Sequence, residues 1–215
     1  MKNLGKGILL LVGLLVAAGA ILFIVYQVGM KPNHKKEREI QEEAKEYVKE
    51  TFSQKIDVYG SVYDNMGNFE FDYAAKARDP KTGTDFLVYH DDATGEMVDS
   101  YVGNKWQDDA EKDIKPYVKE KLGEKADVNV FYNEEVGKRL GISPSDIPSY
   151  KTSGEKSTIR ITLSRHREKD DDATFNELVT YIHNTVGVEK GTVIVGYVAD
   201  NGEILDDNEW VKEFK

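Results

Sequence analysis

Cysteine is missing from all 215 residues. The chain therefore has no disulfide, no thiol nucleophile, no thiolate-bound metal and no cysteine to acylate. Such a chain suits a bacterial cell surface, where folding then needs no oxidative machinery, and it suits cytosol equally well. Histidine is scarce: His34, His90, His166 and His183 are the four, and none makes an i, i+4 or H-x-H metal pair. There is no G-x-S-x-G, no H-E-x-x-H and no P-loop. No catalytic residue, metal site or cofactor is expected. Positive charge is short as well. Lys and Arg number 29 against 39 Asp and Glu, a formal charge of −10. Lys2 and Lys6 stand before the first hydrophobic run, so the region after it carries 27 basic against 39 acidic residues, about −12. A surface of that sign excludes nucleic acid as a partner, because basic patches supply most of that affinity. It also argues against peripheral adhesion to anionic lipid.

What is present begins with one long hydrophobic run. Residues 8–29 read ILLLVGLLVAAGAILFIVYQVG, with Gln27 as the strongly polar member. Twenty-two helical residues span about 33 Å, enough for a bilayer core of roughly 30 Å. Tyr26 falls where amphipathic aromatics favour the interface. The rival reading is a cleaved signal peptide, for which Ala18-Gly19-Ala20 offers a small-x-small site. The apolar residues from Ile21 to Tyr26 continue past that site, and the run exceeds an ordinary signal core. The expectation is an uncleaved single-pass anchor with the bilayer as its partner through residues 8–29. Orientation is contested within the sequence. Lys31, Lys35, Lys36 and Arg38 outnumber Lys2 and Lys6, which would hold the C-terminal side in the cytoplasm. Long domains translocate with little regard to charge, and a tail this short ordinarily stays inside. The expectation is an extracytoplasmic C-terminal region at a Gram-positive cell membrane.

The rest reads as α+β. A helix is expected over 35–53, with Ile40, Ala44, Tyr47, Val48 and Phe52 as its apolar stripe. Four strands follow. The first alternates Ile56, Val58 and Val62 with Asp57, Tyr59, Ser61 and Tyr63; the second sets Phe69, Phe71, Tyr73, Ala75 and Ala77 on one face. The third covers 86–90 and the fourth 96–102. Period two with one apolar face predicts an antiparallel sheet covered on one side. A second helix is expected over 107–122, headed by Trp106 and ended by Gly123. A smaller mixed α/β C-terminal part then holds strands over 126–132, 159–163 and 192–198. Helices are expected over 133–140 and around Phe175 to Ile182, with a short strand over 203–205 and a helical turn around Trp210. The expected division is 1–30 anchor, 31–124 helix–sheet–helix domain and 125–215 C-terminal subdomain. Two stretches echo each other, VYHDDATGEMVDS from Val88 and GYVADNGEILDD from Gly196, each followed by a tryptophan. Any tight hairpin reads this way too.

Candidate functional residues are few. His90 beside Asp91 and Asp92 suits a half-exposed strand residue better than a polar site. Asp170, Asp171 and Asp172 precede a helix, where capping and dipole explain them better than a cation does. The DDATGE stretch lacks the alternating ligands of a calcium loop. Tyr59 and Tyr63 are expected to project together from the first strand, opposite Val58 and Val62. If that face is open they form a protein-binding surface, and otherwise they pack under the C-terminal half.

The stretch from Gly67 to Trp106, GNFEFDYAAKARDPKTGTDFLVYHDDATGEMVDSYVGNKW, resembles the YfjL-like membrane-anchored proteins of bacilli, in which a short membrane helix leads into an α+β region. The piece FLVYHDDATGEMVD is similar to the hairpin of PepSY-type domains. That likeness implies a cystatin-like arrangement, a helix against a curved antiparallel sheet, in an extracytoplasmic setting with a bearing on peptidases. Neither family supplies catalytic residues. The functional expectation is a non-enzymatic binding or regulatory module whose partner is an envelope protein or peptide. The alternatives are an envelope hydrolase working through scattered carboxylates and His90, or a structural spacer.

Overall fold

The structure, a computed structural model, describes residues 18–26, 31–206 and 208–215. Residues 18–26 are helical, and Ile21 to Tyr26 are exposed. The other residues of the expected anchor lie outside the described ones. Among the described residues no helix is long and apolar enough to cross a membrane.

Two four-stranded sheets organise the remainder, giving an α+β fold with one antiparallel and one mixed sheet. Helix α1 (His34–Thr51) starts where the Asn33 side chain accepts the Lys35 N–H at 2.9 Å. It lays Ile40, Ala44 and Val48 on the first sheet, as the stripe predicts. That sheet is β1 (Asp57–Tyr63), β2 (Tyr73–Arg78), β3 (Asp85–His90) and β4 (Met97–Asp99), antiparallel throughout and in chain order. Its helix-facing core is Ala75, Ala77, Phe86, Val88 and Tyr101, closed by Phe52 stacked on Phe86.

Phe69 and Phe71 precede β2 instead of continuing it; their rings stack 5.1 Å apart in the connecting segment. The sheet is covered on both faces. Phe71, Ala74, Tyr89 and Val98 make a second, smaller cluster on the side away from α1. A returning aromatic segment covers that side, which period-two patterning cannot anticipate. β4 is short because helix α2 (Tyr101–Leu122) begins six residues earlier than expected. Asp99 causes the switch, since its carboxylate accepts the Tyr101 N–H at 2.9 Å as the strand ends. Pro116 lies within α2 on its exposed face, so the missing hydrogen bond turns toward water.

The second sheet runs β5 (Asp127–Phe131), β6 (Ser157–Leu163), β7 (Gly191–Tyr197) and β8 (Trp210–Phe214). β6 and β7 are parallel and joined through helix α4 (Asp171–Tyr181); the outer pairs are antiparallel. A short helix α3 (Val136–Leu140) and a long loop precede β6. The chain ends in a strand where a helical turn was expected, because Trp210 and Phe214 point at the core while Val211 and Glu213 face out. The expected strand over 203–205 reduces to one bridge between Val198 and Ile204. The Ala199 N–H to Glu203 carbonyl and Leu205 N–H to Tyr197 carbonyl bonds close a small hairpin there, and Trp106 and Trp210 sit on different element types.

Helix α2 changes the picture of the two halves. Its stripe of Val102, Trp106, Ala110, Ile114 and Val118 buries in the core of the second sheet, whereas Tyr101 buries in the first. The helix grouped by sequence with residues 31–124 thus packs mainly on the strands beyond it. The C-terminal part, expected to be the smaller, holds the larger core. α2 also shields the free edge of β5, where the Glu111 carboxylate accepts the Val130 N–H at 2.9 Å. At its first turn α2 meets α3 through two glycines. A Cβ on Gly103 would lie 2.8 Å from the Asn133 carbonyl oxygen, and one on Gly137 2.8 Å from Val102 Cγ2. Alanine suits a helix interior better than glycine by about 1 kcal/mol. Gly103→Ala is nevertheless expected to destabilise by about 2 kcal/mol, since the obstacle is backbone. Urea unfolding followed by far-ultraviolet circular dichroism measures it, and a stabilised variant would mean the helices separate freely.

Candidate functional site

The structure separates the two tyrosines that the sequence placed together. A β-bulge lies between Val58 and Gly60: Val58 pairs with Ala77 but Gly60 pairs with Lys76. The extra residue is Tyr59, and it shifts the alternation of the strand by one. Val62 consequently faces Ala74 and the second cluster, and Tyr63 faces Tyr73, stacked at 4.7 Å on the α1 side. Tyr59 is 57% exposed and donates its hydroxyl hydrogen to Asp85 at 3.3 Å. The pair shares no surface. No period-two reading could show this, because Gly60 is the sole local hint of a bulge.

His90 ends β3 in a hollow of about 270 Å³ with Glu43, Phe71, Asp72, Tyr73 and Asp92 on its walls. Its Nε2 is 2.8 Å from Glu43 Oε2 on α1, and its Nδ1 is 3.1 Å from the Gly95 carbonyl. The bond to Glu43 raises its pKa above the ordinary histidine range. A raised value in the folded chain means that the clamp between hairpin and helix is complete at low pH. It weakens as pH rises through the folded-state pKa. Glu43→Gln is expected to bring the His90 titration down, read as imidazole chemical shifts across a pH series. An unmoved titration would remove Glu43 as the cause.

Asp171 is the buried member of the acidic triplet, and it does more than cap. Arg165 donates to both of its oxygens at 2.6 and 2.9 Å, the Glu168 N–H at 2.8 Å and the Tyr197 hydroxyl at 2.7 Å. Burial pushes its carboxyl up, and these donors outweigh that and hold it at about 2. Ser153 and Lys156 stand at S-x-x-K spacing. They form no nucleophile–base pair: Ser153 donates to the Tyr150 carbonyl at 2.8 Å, and Lys156 Nζ lies 2.6 Å from Glu213.

A small concavity lies where the two halves meet. Tyr47 of α1, Val98 and Asp99 of β4, Val102 of α2, Gly137 and Lys138 of α3, and the following loop enclose about 200 Å³. Two walls have a sequence cause: the Asp99 turn brings α2 in at once, and the close approach of Gly137 to Val102 sets α3 against it. Val98, Val102, Ile142 and Pro144 supply its apolar surface. Asp99 supplies its charge. Oδ2 accepts the Tyr47 hydroxyl at 2.7 Å and Oδ1 the Tyr101 N–H. Burial raises the Asp99 pKa, and these two neutral donors offset it only in part. The same burial, with Asp99 beside it, lifts the Tyr47 phenol well above its usual range. Lys138 also lines the cleft, but its ammonium is held on Asp91, and that ion pair draws Asp91 down to about 2. None of the lining side chains is serine, threonine or cysteine. Sequence reading assigned Tyr47 to the helix stripe and Asp99 to a strand, so nothing linked them across 52 residues.

No protein-family model matches the chain. No curated protein matches it either. Among solved structures, a DUF5037 family protein from Ruminococcus gnavus is similar at a TM-score of 0.46 and 11% identity, over 82% of this chain and 91% of that one. A likeness at that level carries nothing about function.

Proposed function

We propose that this chain is a non-enzymatic binding module, anchored by residues 8–29 to the outer face of a cytoplasmic membrane, whose partner is an envelope protein or peptide. The observation that carries the reading is the cleft between the halves. Its volume of about 200 Å³ falls below the roughly 300–1,000 Å³ of small-molecule sites, and it suits one side chain of a partner. Other support comes from the order of elements. A helix laid across an antiparallel sheet is the arrangement of cystatin-like and PepSY-type domains, and the Gly67–Trp106 stretch keeps the YfjL-like proteins of bacilli as the family suggested.

The test is site-specific photo-crosslinking of the full chain in intact bacterial cells. A crosslinker replacing Ile142 on the cleft wall is expected to capture an envelope protein, and one replacing the exposed Glu177 is expected to capture none. Capture at 177 alone would sink the reading. Orientation has its own check. Protease added to protoplasts should digest the C-terminal region without lysis; protection until lysis would place the partner in the cytoplasm.

One observation favours a hydrolase as second reading: His90 and Glu43 are paired as a general base and its orienting carboxylate. The walls of that hollow offer no serine, threonine or cysteine as nucleophile, so water would have to be the attacking group. Under the binding reading, His90→Ala leaves partner capture from residue 142 unchanged.

A further inference from the structure

The cleft contains an electrostatic imbalance that the fold does not resolve. Asp99 is half-buried, and its two hydrogen-bond donors are neutral, a phenol and a backbone N–H. A carboxylate in such surroundings is ordinarily paired with a cation or driven to keep its proton. Lys138 is the cation that lines the same cavity, and its ammonium is engaged by Asp91, which also accepts the Ala93 and Thr94 N–H groups at 3.0 and 2.7 Å. Each carboxylate oxygen keeps an accepting lone pair beyond the one its donor uses. The rest of the lining is apolar: Val98, Val102, Ile142 and Pro144. A cavity lined by four apolar side chains and a carboxylate without a cation matches a four-carbon stem ending in an ammonium.

We infer that the cleft receives the side chain of a lysine from the partner protein, its methylenes along Val98, Val102, Ile142 and Pro144 and its ammonium donating to Asp99. The inference rests on the cleft being the binding site. The net charge near −12 on the region after the hydrophobic run favours approach of a basic segment from any direction. An ammonium docked beside it would lower the Asp99 pKa, so affinity falls as the solution is acidified and the carboxylate takes up its proton. The charged and titratable groups facing Asp99 from the packed elements are Tyr47 on α1 and Lys138 on α3.

n-Butylammonium, a lysine side chain without its backbone, is the probe, and n-butanol is the control of like shape without charge. The full chain in detergent micelles, with labelled aspartate carboxyl carbons, is titrated with each by nuclear magnetic resonance. n-Butylammonium is expected to shift the Asp99 carboxyl signal saturably and to lower its titration midpoint, while n-butanol binds at least tenfold more weakly. Asp99→Asn should lose about tenfold or more in n-butylammonium affinity, the size of a charge-assisted hydrogen bond. Tyr47→Phe, which leaves the carboxylate in place with one donor fewer, should keep or gain affinity; it covers the case in which Asp99→Asn fails to fold. Equal binding of the two probes, binding that survives in Asp99→Asn, or no Asp99 response to either probe overturns the inference. Any of these beside a crosslink captured from residue 142 leaves the binding module standing with an uncharged guest. Loss of the crosslink as well removes both.

Discussion

Asp171→Asn is expected to lower the unfolding free energy by about 3 kcal/mol, the low end for breaking a buried ion pair. The low end applies because the Arg165 side chain retains 28% of its exposure while that of Asp171 retains 5%. Asparagine preserves size but offers one acceptor oxygen where aspartate offers two. Oδ2 accepts from Arg165 Nη1, the Glu168 N–H and the Tyr197 hydroxyl, so the asparagine oxygen keeps that place and its amide group turns on Arg165 Nη2, which loses its acceptor, while the guanidinium loses its counter-charge. The constellation ties the connection after β6 to the first turn of α4, and that crossover leads into the parallel strand β7. The pH dependence follows from the same carboxyl. Its folded value, about 2, lies below the ordinary 3.8, so its stabilising contribution is complete above that ordinary value. It is lost as pH falls toward 2. Urea midpoints recorded from pH 6 to pH 2 should fall across this window for the natural chain and fall less for Asp171→Asn. A variant within about 0.5 kcal/mol of the natural chain, the usual range of a surface change, would reduce the constellation to a surface pairing. Combining Asp171→Asn with Arg165→Met should recover part of the loss, because the orphaned charge is then gone.

The parts of the fold that sequence made legible are those governed by one local periodicity. The stripe of α1 and the alternation of Ile159, Ile161 and Leu163 bury as read, because each element meets a single core along its whole length. The misreadings arise where two influences compete over a few residues. Tyr101 and Val102 continue the apolar alternation of β4, yet one hydrogen bond to Asp99 starts a helix there and sends the two side chains into different cores. Tyr59 continues the alternation of β1, yet a bulge beside Gly60 reverses the faces that follow. Phe69 and Phe71 extend the pattern of β2, yet they serve a cluster on the back of the sheet. The cleft shares this character. Tyr47, Asp99 and Lys138 come from three elements, and no spacing in the sequence joins them.

Trp106→Ala is expected to cost about 4 kcal/mol, within the range for deleting a large buried aromatic. Trp106 is 1% exposed, its ring meets Tyr132 edge-on at 5.6 Å, and its indole N–H donates to the Pro148 carbonyl at 2.8 Å. Alanine would open a cavity in the larger core and free the loop that carries Pro148 from α2. Trp106→Phe separates the two contributions. It keeps most of the packing and leaves the carbonyl without its donor, a loss of about 1–2 kcal/mol. The outcome that matters most is the shape of the transition. Against a total of roughly 5–15 kcal/mol for a domain, a 4 kcal/mol loss would unfold an independent C-terminal unit well before the first sheet, giving two steps in urea. The structure argues for one step. Tyr101 and Val102 are consecutive residues of one helix buried in different cores, so α2 cannot leave the second sheet without drawing Tyr101 away from Phe52 and Phe86 in the first. A single transition with an earlier midpoint and an unchanged slope is therefore expected. Two transitions would show that the halves fold separately, and the walls of the cleft would then be free to move apart on their own.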